Sequence, residues 1–478
     1  MIKVGKKEAL YGYVDIILAQ LANIIVLPIV LNMVSTEEYA IWNVFVSIQA
    51  FVILFESGFA IVVARFTTYA YTGAESIPIS GKPDIKRNFV NYELLHEILS
   101  VSKRLYMKVA LIATVVLLLA TGYVWYIARE CKNLREIIIA WIIFSIGVAL
   151  SLYFTFYSSF LKGIGKIKEM RIISITSSLM QAILKISLII MGWGLIGISL
   201  TVTVIIIYKR FSIRYYVLQF FAENEKKKYV EREEKKSEIK RAMRANARQL
   251  GMVVIAQYIE NQGTTLICSA FLPLTIIGRY GLTLQILSVI ASVATVPTST
   301  FQPVLNQYVI NEKEEKLRDL YGLLTVIITG TYWMGIVVVL TIVPSLLVIV
   351  KSKTYLLDGF TMLLMAFYQF EIILHQRATK LISYANDQRY VRSYIVTATA
   401  ELLVAIITLN ILDAPITIYI LGLAIAELYN FISWPKRACR LIGYSVSLSY
   451  YRGIEQLIQY IKKVVRAKME KNNRRWPS

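Results

Sequence analysis

The feature that most constrains this chain is a succession of long apolar runs separated by short polar breaks. An α-helix needs about 20 apolar residues to cross the hydrocarbon core of a bilayer. The runs therefore predict an all-α, polytopic membrane protein with about 12 transmembrane helices. We place the spans at residues 10–33, 39–64, 105–128, 136–161, 172–192, 194–208, 249–271, 276–301, 320–348, 360–381, 394–411 and 415–434.

The composition excludes several other classes of protein. Hydrophobic residues make up 56% of the chain and charged residues only 17%, whereas soluble domains carry about 25% charged residues. This balance disfavours both a soluble enzyme and a disordered chain. The net charge of +21 would suggest a nucleic-acid partner in a soluble protein. Here the basic residues lie between apolar spans, so we expect the lipid bilayer as a partner and no nucleic acid.

The distribution of basic residues predicts the orientation in the membrane. With the N-terminus in the cytoplasm, 45 of the 52 Lys and Arg residues fall on the cytoplasmic side and 6 fall outside. Cytoplasmic loops of membrane proteins are enriched in Lys and Arg. The sequence therefore predicts that both termini are cytoplasmic and that the number of spans is even.

The long charged segment in the middle of the chain divides the spans six and six. We predict an N-terminal six-helix bundle over residues 1–208, a charged cytoplasmic linker over 209–248 and a second bundle over 249–435. Within the linker, the run from Glu223 to Arg248 predicts a solvated helix. Tyr39-Ala40-Ile41 after the first span matches Tyr280-Gly281-Leu282 after the seventh in residue type. Six spans in each half favour a parallel pseudo-repeat, a plan known from transporters.

Residues 436–478 predict a basic cytoplasmic tail. Six apolar residues fall at helical spacing, with basic residues on the other side, and they are Ile454, Leu457, Ile458, Ile461, Val464 and Val465. Such an amphipathic helix can lie on an anionic leaflet or pack against the helical bundle. The pattern leaves both alternatives open.

Polar residues inside the spans fall on shared helical faces. An ionisable group at the bilayer centre is costly, so it usually faces a cavity or a partner. Stripes in both halves favour a water-filled cleft, with Lys185 as its cation and Glu260 as its acid. An ion pair between these two residues and tight packing of the serines are the alternatives. The stripes are Ser174, Ser177, Ser178, Gln181 and Lys185; Gln257, Glu260, Asn261 and Thr264; Gln285, Ser288 and Ser292; and Tyr368, Glu371 and His375.

Several kinds of chemistry have no sequence signal. Gly163-Ile164-Gly165-Lys166 lacks the spacing and hydroxyl of a phosphate-binding loop, so we expect no built-in ATPase. The chain has two histidines, and its three cysteines stand at no metal or disulfide spacing. We therefore expect a protein that is not an enzyme, with no cofactor, no metal site and no catalytic residue.

The early spans resemble a known family. Tyr39-Ala40-Ile41-Trp42, then Phe55-Glu56-Ser57-Gly58-Phe59, with Arg65 seven residues after Gly58, are similar to the O-antigen and polysaccharide flippases of the Wzx type. These belong to the multidrug/oligosaccharidyl-lipid/polysaccharide exporter superfamily. The motif covers the first sixty-odd residues and departs from the family pattern at Ser57, where an apolar residue is usual. The span count and orientation extend the resemblance over the rest of the chain.

The resemblance implies a fold and a function. It implies two six-helix bundles in a V, as in the multidrug/sodium antiporters, rocking about a central cavity. It also implies that undecaprenyl-pyrophosphate-linked oligosaccharide moves from the inner to the outer leaflet of a bacterial cytoplasmic membrane, coupled to H⁺ or Na⁺. The resemblance therefore implies a role in O-antigen and lipopolysaccharide biosynthesis. It also allows other polysaccharide-assembly membrane proteins as partners.

Two sets of site residues follow from the stripes and the resemblance together. Cations and amides suit a pyrophosphate and sugar hydroxyls, and acids inside the membrane suit ion coupling. The predicted substrate-binding residues are Lys185, Arg65, Gln181, Gln257, Asn261, Gln285 and Arg377. The predicted ion-coupling residues are Glu260, Glu56, Asp15 and Glu371.

Two other functions remain open on the sequence. An ion-coupled exporter of drugs or organic cations would share the fold but would need an acidic cleft. A membrane acyltransferase or polymerase would need His375 as a catalytic group with a second group beside it. A hydrogen-bonded packing histidine is the simpler interpretation of His375.

Overall fold

The computed structural model of the 478-residue chain describes residues 25–56, 58–77, 89–224, 233–310, 314–384 and 389–473. These ranges are helical and contain no β-strand. Residues 25–33 form α1. The other helices are α2 Thr36–Ile53, α3 Phe59–Tyr71, α4 Tyr92–Ala128, α5 Leu134–Gly163, α6 Ile167–Ile190, α7 Gly194–Asn224, α8 Glu233–Tyr258, α9 Thr264–Phe271, α10 Leu274–Ile310, α11 Glu314–Thr341, α12 Val343–Ile349, α13 Gly359–Tyr384, α14 Tyr390–Ala405, α15 Ile416–Leu441 and α16 Val446–Asn473.

Among the described residues, nine helical segments are long and apolar enough to cross a membrane. They coincide with nine of the twelve predicted spans. The predicted span 10–33 lies largely outside the described residues. The predicted spans 249–271 and 360–381 are helical but more polar. The prediction of an all-α polytopic membrane protein is confirmed.

The surface of the long helices is that of a protein in lipid. On α4, Leu111, Leu118 and Leu119 are 62%, 68% and 73% exposed. Exposed apolar faces of this extent are rare on monomeric proteins in water and mark a membrane or protein partner. The buried faces pack in pairs, with α5 along α7, α13 along α15 and α11 along α16.

The predicted span 39–64 is not one continuous helix. After α2 the chain forms a 3₁₀ turn over Leu54–Glu56 and restarts as α3 after Gly58. Gly58 has φ +83°, and an added Cβ would lie 2.5 Å from the carbonyl oxygen of Ala247. Glycine is therefore required there by both its backbone angle and its contact with α8. The resemblance motif marks a break in the helix.

The chain divides into two compact units. Unit 1 comprises Met1–Gly281 with Leu347–Tyr355, and unit 2 comprises Leu282–Leu346 with Leu356–Ser478. These boundaries differ from those of the predicted bundles, because residues 249–281 fall in unit 1. The six-and-six grouping of spans stays a prediction.

The described part of the predicted linker 209–248 is helical, with one buried face and one exposed face. α7 continues through Asn224, and α8 begins at Glu233. One face of α8 is buried in the hydrophobic core of unit 1, where it packs against α3 and α4. The buried residues of that face include Ile239, Ala242, Met243 and Ala247.

The tyrosines that open the two matching tripeptides, Tyr39 on α2 and Tyr280 on α10, both belong to unit 1. Tyr39 and Tyr280 are both buried. A Cβ added at Gly278 would lie 2.9 Å from Thr36, and one added at Gly281 would lie 2.5 Å from Asn43. Small residues thus bring the first turns of α2 and α10 into close contact. The parallel pseudo-repeat remains a prediction.

The C-terminal helix packs on the bundle and also presents an apolar face outward. α15 runs past the predicted boundary at 435 to Leu441, and α16 crosses α11 where Gly453 meets Gly322. An added Cβ at Gly453 would clash with the Gly322 carbonyl oxygen. The first part of α16 thus packs on α11 through Gly453, while Ile454 and Ile458 of the predicted apolar row face outward. The two alternatives for the predicted apolar row stay open. The outward apolar residues are Leu448, Tyr451, Ile454 and Ile458.

Candidate functional site

Glu56 belongs to a buried polar cluster at the helix break in unit 1. Glu56 is 8% exposed, and the Tyr106 hydroxyl on α4 donates to its Oε1 at 3.0 Å. Arg210 on α7 interacts electrostatically with Glu56 and donates to Ser158 at 2.8 Å and to Ser151 at 2.9 Å. We call these five residues the Glu56 cluster. It combines an acid, a cation and hydroxyls drawn from four helical elements.

Arg65 does not join the Glu56 cluster. It is exposed on α3, and its guanidinium lies 5.8 Å from the centroid of the neighbouring Phe66 ring. The structure therefore separates the two charged residues of the resemblance motif, with Glu56 inside and Arg65 outside. The role of Arg65 in substrate binding stays a prediction.

Lys185 lies on the inner face of α6. The opposite face of that helix is apolar and exposed, with Met180 and Ile183 at 42% and 67%. Lys185 and Gln181 are half-buried one turn apart. The Lys185 ammonium lies 5.9 Å from the centroid of the Trp42 ring on α2. No acidic side chain in the described part of the chain is paired with it.

The serines beside Lys185 are satisfied within α6. Ser177 donates to the Ile173 carbonyl at 2.5 Å, and Ser178 donates to the Ser174 carbonyl at 3.0 Å. Their hydroxyl protons are therefore used locally, while their oxygens stay on the polar face. Lys185 and Gln181 are the residues of this stripe with side chains long enough to reach a ligand.

The predicted polar face around Glu260 falls on a segment with a π-helical turn, and the roles of its residues stay a prediction. Residues Ile259–Gly263 form a π-helical turn between α8 and α9. The prediction placed Gln257, Glu260, Asn261 and Thr264 on one face by assuming 3.6 residues per turn, and a π turn has a longer period. The side chains of Glu260 and Asn261, like the whole of Asp15, lie outside the described residues. Gln257 is half-buried and Thr264 is buried.

A second buried polar cluster lies in unit 2, on α13, α14 and α15. We call Glu371, His375, Glu401 and Glu427 the acidic cluster. Their exposures are 0%, 0%, 1% and 0%. Three carboxyl groups and one imidazole therefore share the interior of a unit that is made of membrane helices.

Hydrogen bonds hold part of the acidic cluster. His375 Nδ1 and Glu427 Oε1 are 2.7 Å apart, and Asn430 Nδ2 donates to Glu427 Oε2 at 3.1 Å. The Tyr368 hydroxyl donates to Glu401 Oε1 at 2.6 Å. His375 is thus the hydrogen-bonded, buried histidine that was the simpler interpretation of the sequence.

Other atoms of the acidic cluster have no partner among the described residues. They are both carboxyl oxygens of Glu371, Oε2 of Glu401 and Nε2 of His375. Glu427 interacts electrostatically with Glu371 and with Glu401. The described residues nevertheless include no group of three acidic, histidine or cysteine side chains arranged to hold a metal ion.

The remaining predicted residues of unit 2 lie apart from the acidic cluster. Arg377 is 6% exposed, donates to Thr325 and to the Tyr321 carbonyl, and stacks 4.1 Å from the Tyr321 ring centroid. Gln285 is half-buried on α10. The roles predicted for these two residues in substrate binding are not tested by the geometry.

Sequence reasoning missed four of the five residues of the Glu56 cluster, Arg210 among them, and it missed Asn430 beside the acidic cluster. Arg210 was assigned to the cytoplasmic linker because the apolar run ends at Tyr208, although α7 continues beyond it. Asn430 was not singled out, although it lies three residues after Glu427 and therefore on the same helical face. That spacing was a signal available in the sequence.

Solved structures share this fold at low sequence identity. An inward-facing multidrug resistance MATE family transporter of the MOP superfamily matches with a TM-score of 0.61 and 12% identity, covering 91% of this chain and 95% of that chain. The lipid II flippase MurJ, in an inward closed conformation, matches with a TM-score of 0.57 and 11% identity, covering 97% and 93%.

A third match is a MOP superfamily transporter from Pyrococcus furiosus whose binding pocket is described as having reverse polarity, suggesting a different function. Its TM-score is 0.53 at 12% identity, with 91% of this chain and 96% of that chain covered. The sequence matches no protein-family model and no curated protein sequence. The protein is thus an all-α polytopic membrane protein with the fold of MOP superfamily transporters.

Proposed function

We propose that this protein is a flippase that moves undecaprenyl-pyrophosphate-linked oligosaccharide from the inner to the outer leaflet of a bacterial cytoplasmic membrane. Two observations support the proposal at the level of the fold and the motif. The lipid II flippase MurJ has this fold, and the Glu56-Ser57-Gly58 segment resembles the polysaccharide flippases. The observation that carries the choice of substrate is the position of Lys185.

Lys185 provides positive charge on an inner helix face. Among the described residues its charged group faces the Trp42 ring and no carboxylate. A pyrophosphate is recognised by cations through charge-assisted hydrogen bonds. An aromatic ring beside the ammonium holds it by a cation–π contact and leaves its N–H donors available. A drug exporter for organic cations would instead need an acidic cleft.

The acidic cluster of unit 2 is the proposed coupling site. Three buried carboxyl groups cannot all carry charge beside one another without compensation. Glu371 has no hydrogen-bond partner in the described residues, so its neutralisation must come from a proton or from a bound cation. We therefore assign ion coupling to Glu371 and Glu401, whereas the sequence prediction named Glu260 as the first candidate.

The orientation belongs to the same proposal. Both termini are placed in the cytoplasm because 45 basic residues lie on that side and 6 on the other in the predicted topology. Transport from the inner to the outer leaflet then begins on the side where the lipid-linked sugar is assembled. Reporter fusions at the C-terminus and near residue 230 should both report cytoplasm, and an outside signal from either would contradict this topology.

The decisive experiment measures translocation in proteoliposomes loaded with undecaprenyl-pyrophosphate-linked oligosaccharide. A membrane-impermeant glycosidase reads the sugar that reaches the outer leaflet. Lys185→Ala should slow translocation between about 10- and 100-fold, the range expected from losing one hydrogen bond to a charged group of about 1.5–3 kcal/mol. Lys185→Arg should retain part of the rate, because Arg keeps the charge at a point contact.

Two controls make the result specific. Lys132→Ala removes an exposed lysine between α4 and α5 and should leave the rate unchanged. Ethidium efflux from the same vesicles tests the drug-exporter alternative directly. Full translocation by Lys185→Ala, or ethidium efflux without sugar translocation in the unaltered protein, would overturn the proposed function.

A further inference from the structure

A cavity of about 220 Å³ lies within unit 2, between α11, α13, α15 and α16. It is separate from the acidic cluster, none of whose four residues lines it. Two lining residues on α15, Ile432 and Lys436, are exposed. The cavity therefore reaches the surface along this turn of α15, beside the first turns of the C-terminal helix.

The cavity contains a buried cation without an acidic partner. Arg377 is 6% exposed and lines the cavity, and its two hydrogen bonds go to neutral oxygens of Thr325 and Tyr321. Its Nε has no partner in the described residues. All twelve lining residues are described, and none is Asp or Glu. An uncompensated buried charge is strongly unfavourable, so an anionic ligand would stabilise this arrangement.

Lys436 adds a second positive charge at the edge of the cavity. Arg and Lys together are the usual protein contacts of phosphate groups. The rest of the lining is largely apolar, with Leu374, Phe431 and Val446 among its walls. A ligand that suits both features has an anionic head and apolar parts.

An apolar track leads from the membrane face of α15 to this cavity. Ile425, Leu428 and Ile432 are 64%, 40% and 43% exposed. They follow one another at spacings of three and four residues, so they form a single row on the helix, and Lys436 is the next position in that row. A hydrocarbon chain lying along the row would place its head group at Lys436.

We propose that the cavity under α16 binds the phosphate head group of an anionic membrane phospholipid, with Arg377 and Lys436 as its cationic contacts. The acyl chains lie along the Ile425–Leu428–Ile432 row. The basic residues at this end of α15 are on the cytoplasmic side in the predicted topology, and the cytoplasmic leaflet carries anionic lipid. The lipid stabilises the packing of α16 against the bundle. Arg377 then contacts a resident lipid and has no part in binding the transported substrate.

The test compares lipid binding by full-length variants purified in detergent. Native mass spectrometry measures retention of phosphatidylglycerol against phosphatidylcholine, which carries a phosphate but no net charge. The unaltered protein should retain phosphatidylglycerol at a concentration at least 10-fold lower than phosphatidylcholine. Arg377→Gln and Lys436→Gln should each lose that preference.

Arg437→Gln is the matched control. Arg437 is the next residue along α15, is exposed and stacks 4.6 Å from the Trp434 ring centroid, but it does not line the cavity. This variant should keep the preference for phosphatidylglycerol. If Arg377→Gln fails to fold, the exposed Lys436 carries the comparison alone, because its substitution leaves the buried contacts intact.

Several outcomes would overturn the proposal. One is that the unaltered protein retains both lipids equally. Another is that the Arg437→Gln and Lys436→Gln variants lose the preference for phosphatidylglycerol to the same extent. Displacement of phosphatidylglycerol by millimolar glycerol phosphate would assign the cavity to a soluble anion. Displacement by undecaprenyl pyrophosphate at equal concentration would assign it to the transported substrate. The result is independent of sugar translocation, so the lipid site and the proposed function can fail separately.

Discussion

The two units bury charge in different ways. In unit 1 the acid Glu56 shares its cluster with the cation Arg210 and accepts a hydrogen bond from Tyr106. In unit 2 the hydrogen-bond partners of the buried acids in the described residues are neutral groups and one histidine, and the hydrogen bonds of Arg377 go to Thr325 and the Tyr321 carbonyl. The Glu56 cluster therefore pairs its acid with a fixed cation, although Lys185 in the same unit has no acidic partner among the described residues. The acidic cluster and Arg377 in unit 2 have no such fixed counter-charge among the described residues.

The largest effect on this difference between the units is expected from removing Arg210, the cation of the Glu56 cluster. Arg210→Met removes the cation that interacts electrostatically with the buried Glu56, and it also removes the hydrogen bonds to Ser151 and Ser158. We expect the free energy of unfolding in detergent micelles, followed by tryptophan fluorescence, to fall by about 1–3 kcal/mol, the cost of leaving buried polar groups without their partner. Arg135→Met, at an exposed arginine of the same unit, should change it little.

A double variant separates charge from packing in that result. Arg210→Met combined with Glu56→Gln removes both charges and should recover most of the lost stability. If the double variant is no more stable than Arg210→Met alone, Arg210 stabilises unit 1 by its contacts with Ser151 and Ser158 and not by its charge.

A smaller effect is expected from the single histidine of the acidic cluster. His375→Leu leaves Oε1 of Glu427 buried without its hydrogen bond, which costs about 1–3 kcal/mol. The chain's other histidine is a natural control, because His96 in unit 1 contacts the Phe221 ring and His96→Leu keeps an apolar contact there. If the two variants have equal unfolding midpoints, the hydrogen bond between His375 and Glu427 does not stabilise the acidic cluster.

The smallest effect on stability, and the most specific effect on transport, is expected at Glu371. Its carboxyl oxygens have no hydrogen bond to lose within the described residues, so Glu371→Gln should change the free energy of unfolding by less than about 1 kcal/mol. Translocation in proteoliposomes should then stop responding to an imposed pH gradient. Glu238→Gln, at an exposed acid on α8, should respond normally.

The proposed coupling is tested by which imposed gradient, pH or sodium, the Glu371→Gln variant still responds to. If Glu371→Gln still responds to the pH gradient as the unaltered protein does, the acidic cluster is not the proton site. If it loses a response to a sodium gradient and keeps the response to pH, the coupling ion is sodium.

The sequence was sufficient for features that depend on length and on a regular helical period. The nine matching spans follow from apolar length alone, and Tyr368, Glu371 and His375 were placed on one face because α13 is a continuous helix there. The π turn at Ile259–Gly263 could not be predicted, because the order of apolar and polar residues does not show a local change of helical period. Arg210 could not be distinguished from a flanking charge, because hydropathy does not show that a helix continues beyond its apolar run.

The burial of α8 shows a second limit. Its sequence is dense in charge, and the apolar residues Ile239 and Met243 stand four apart within it. Such a narrow apolar row predicts a helix that is mostly exposed to solvent. In the structure, the neighbouring helices α3 and α4 pack against this row and bury it. Only the tertiary partners determine that this row belongs to the core.

The π turn at Ile259–Gly263 also restricts how the chain length can vary. Each residue of an α-helix turns the next by about 100°, and a π turn holds one residue more than an α turn for the same advance in hydrogen bonding. Deleting one residue here would rotate α9 by roughly that angle and move Thr264, Thr265 and Cys268 away from the core in which they are buried. The π turn thus fixes which face of α9 is buried. Adding or removing one residue in this turn would rotate α9 and expose that face.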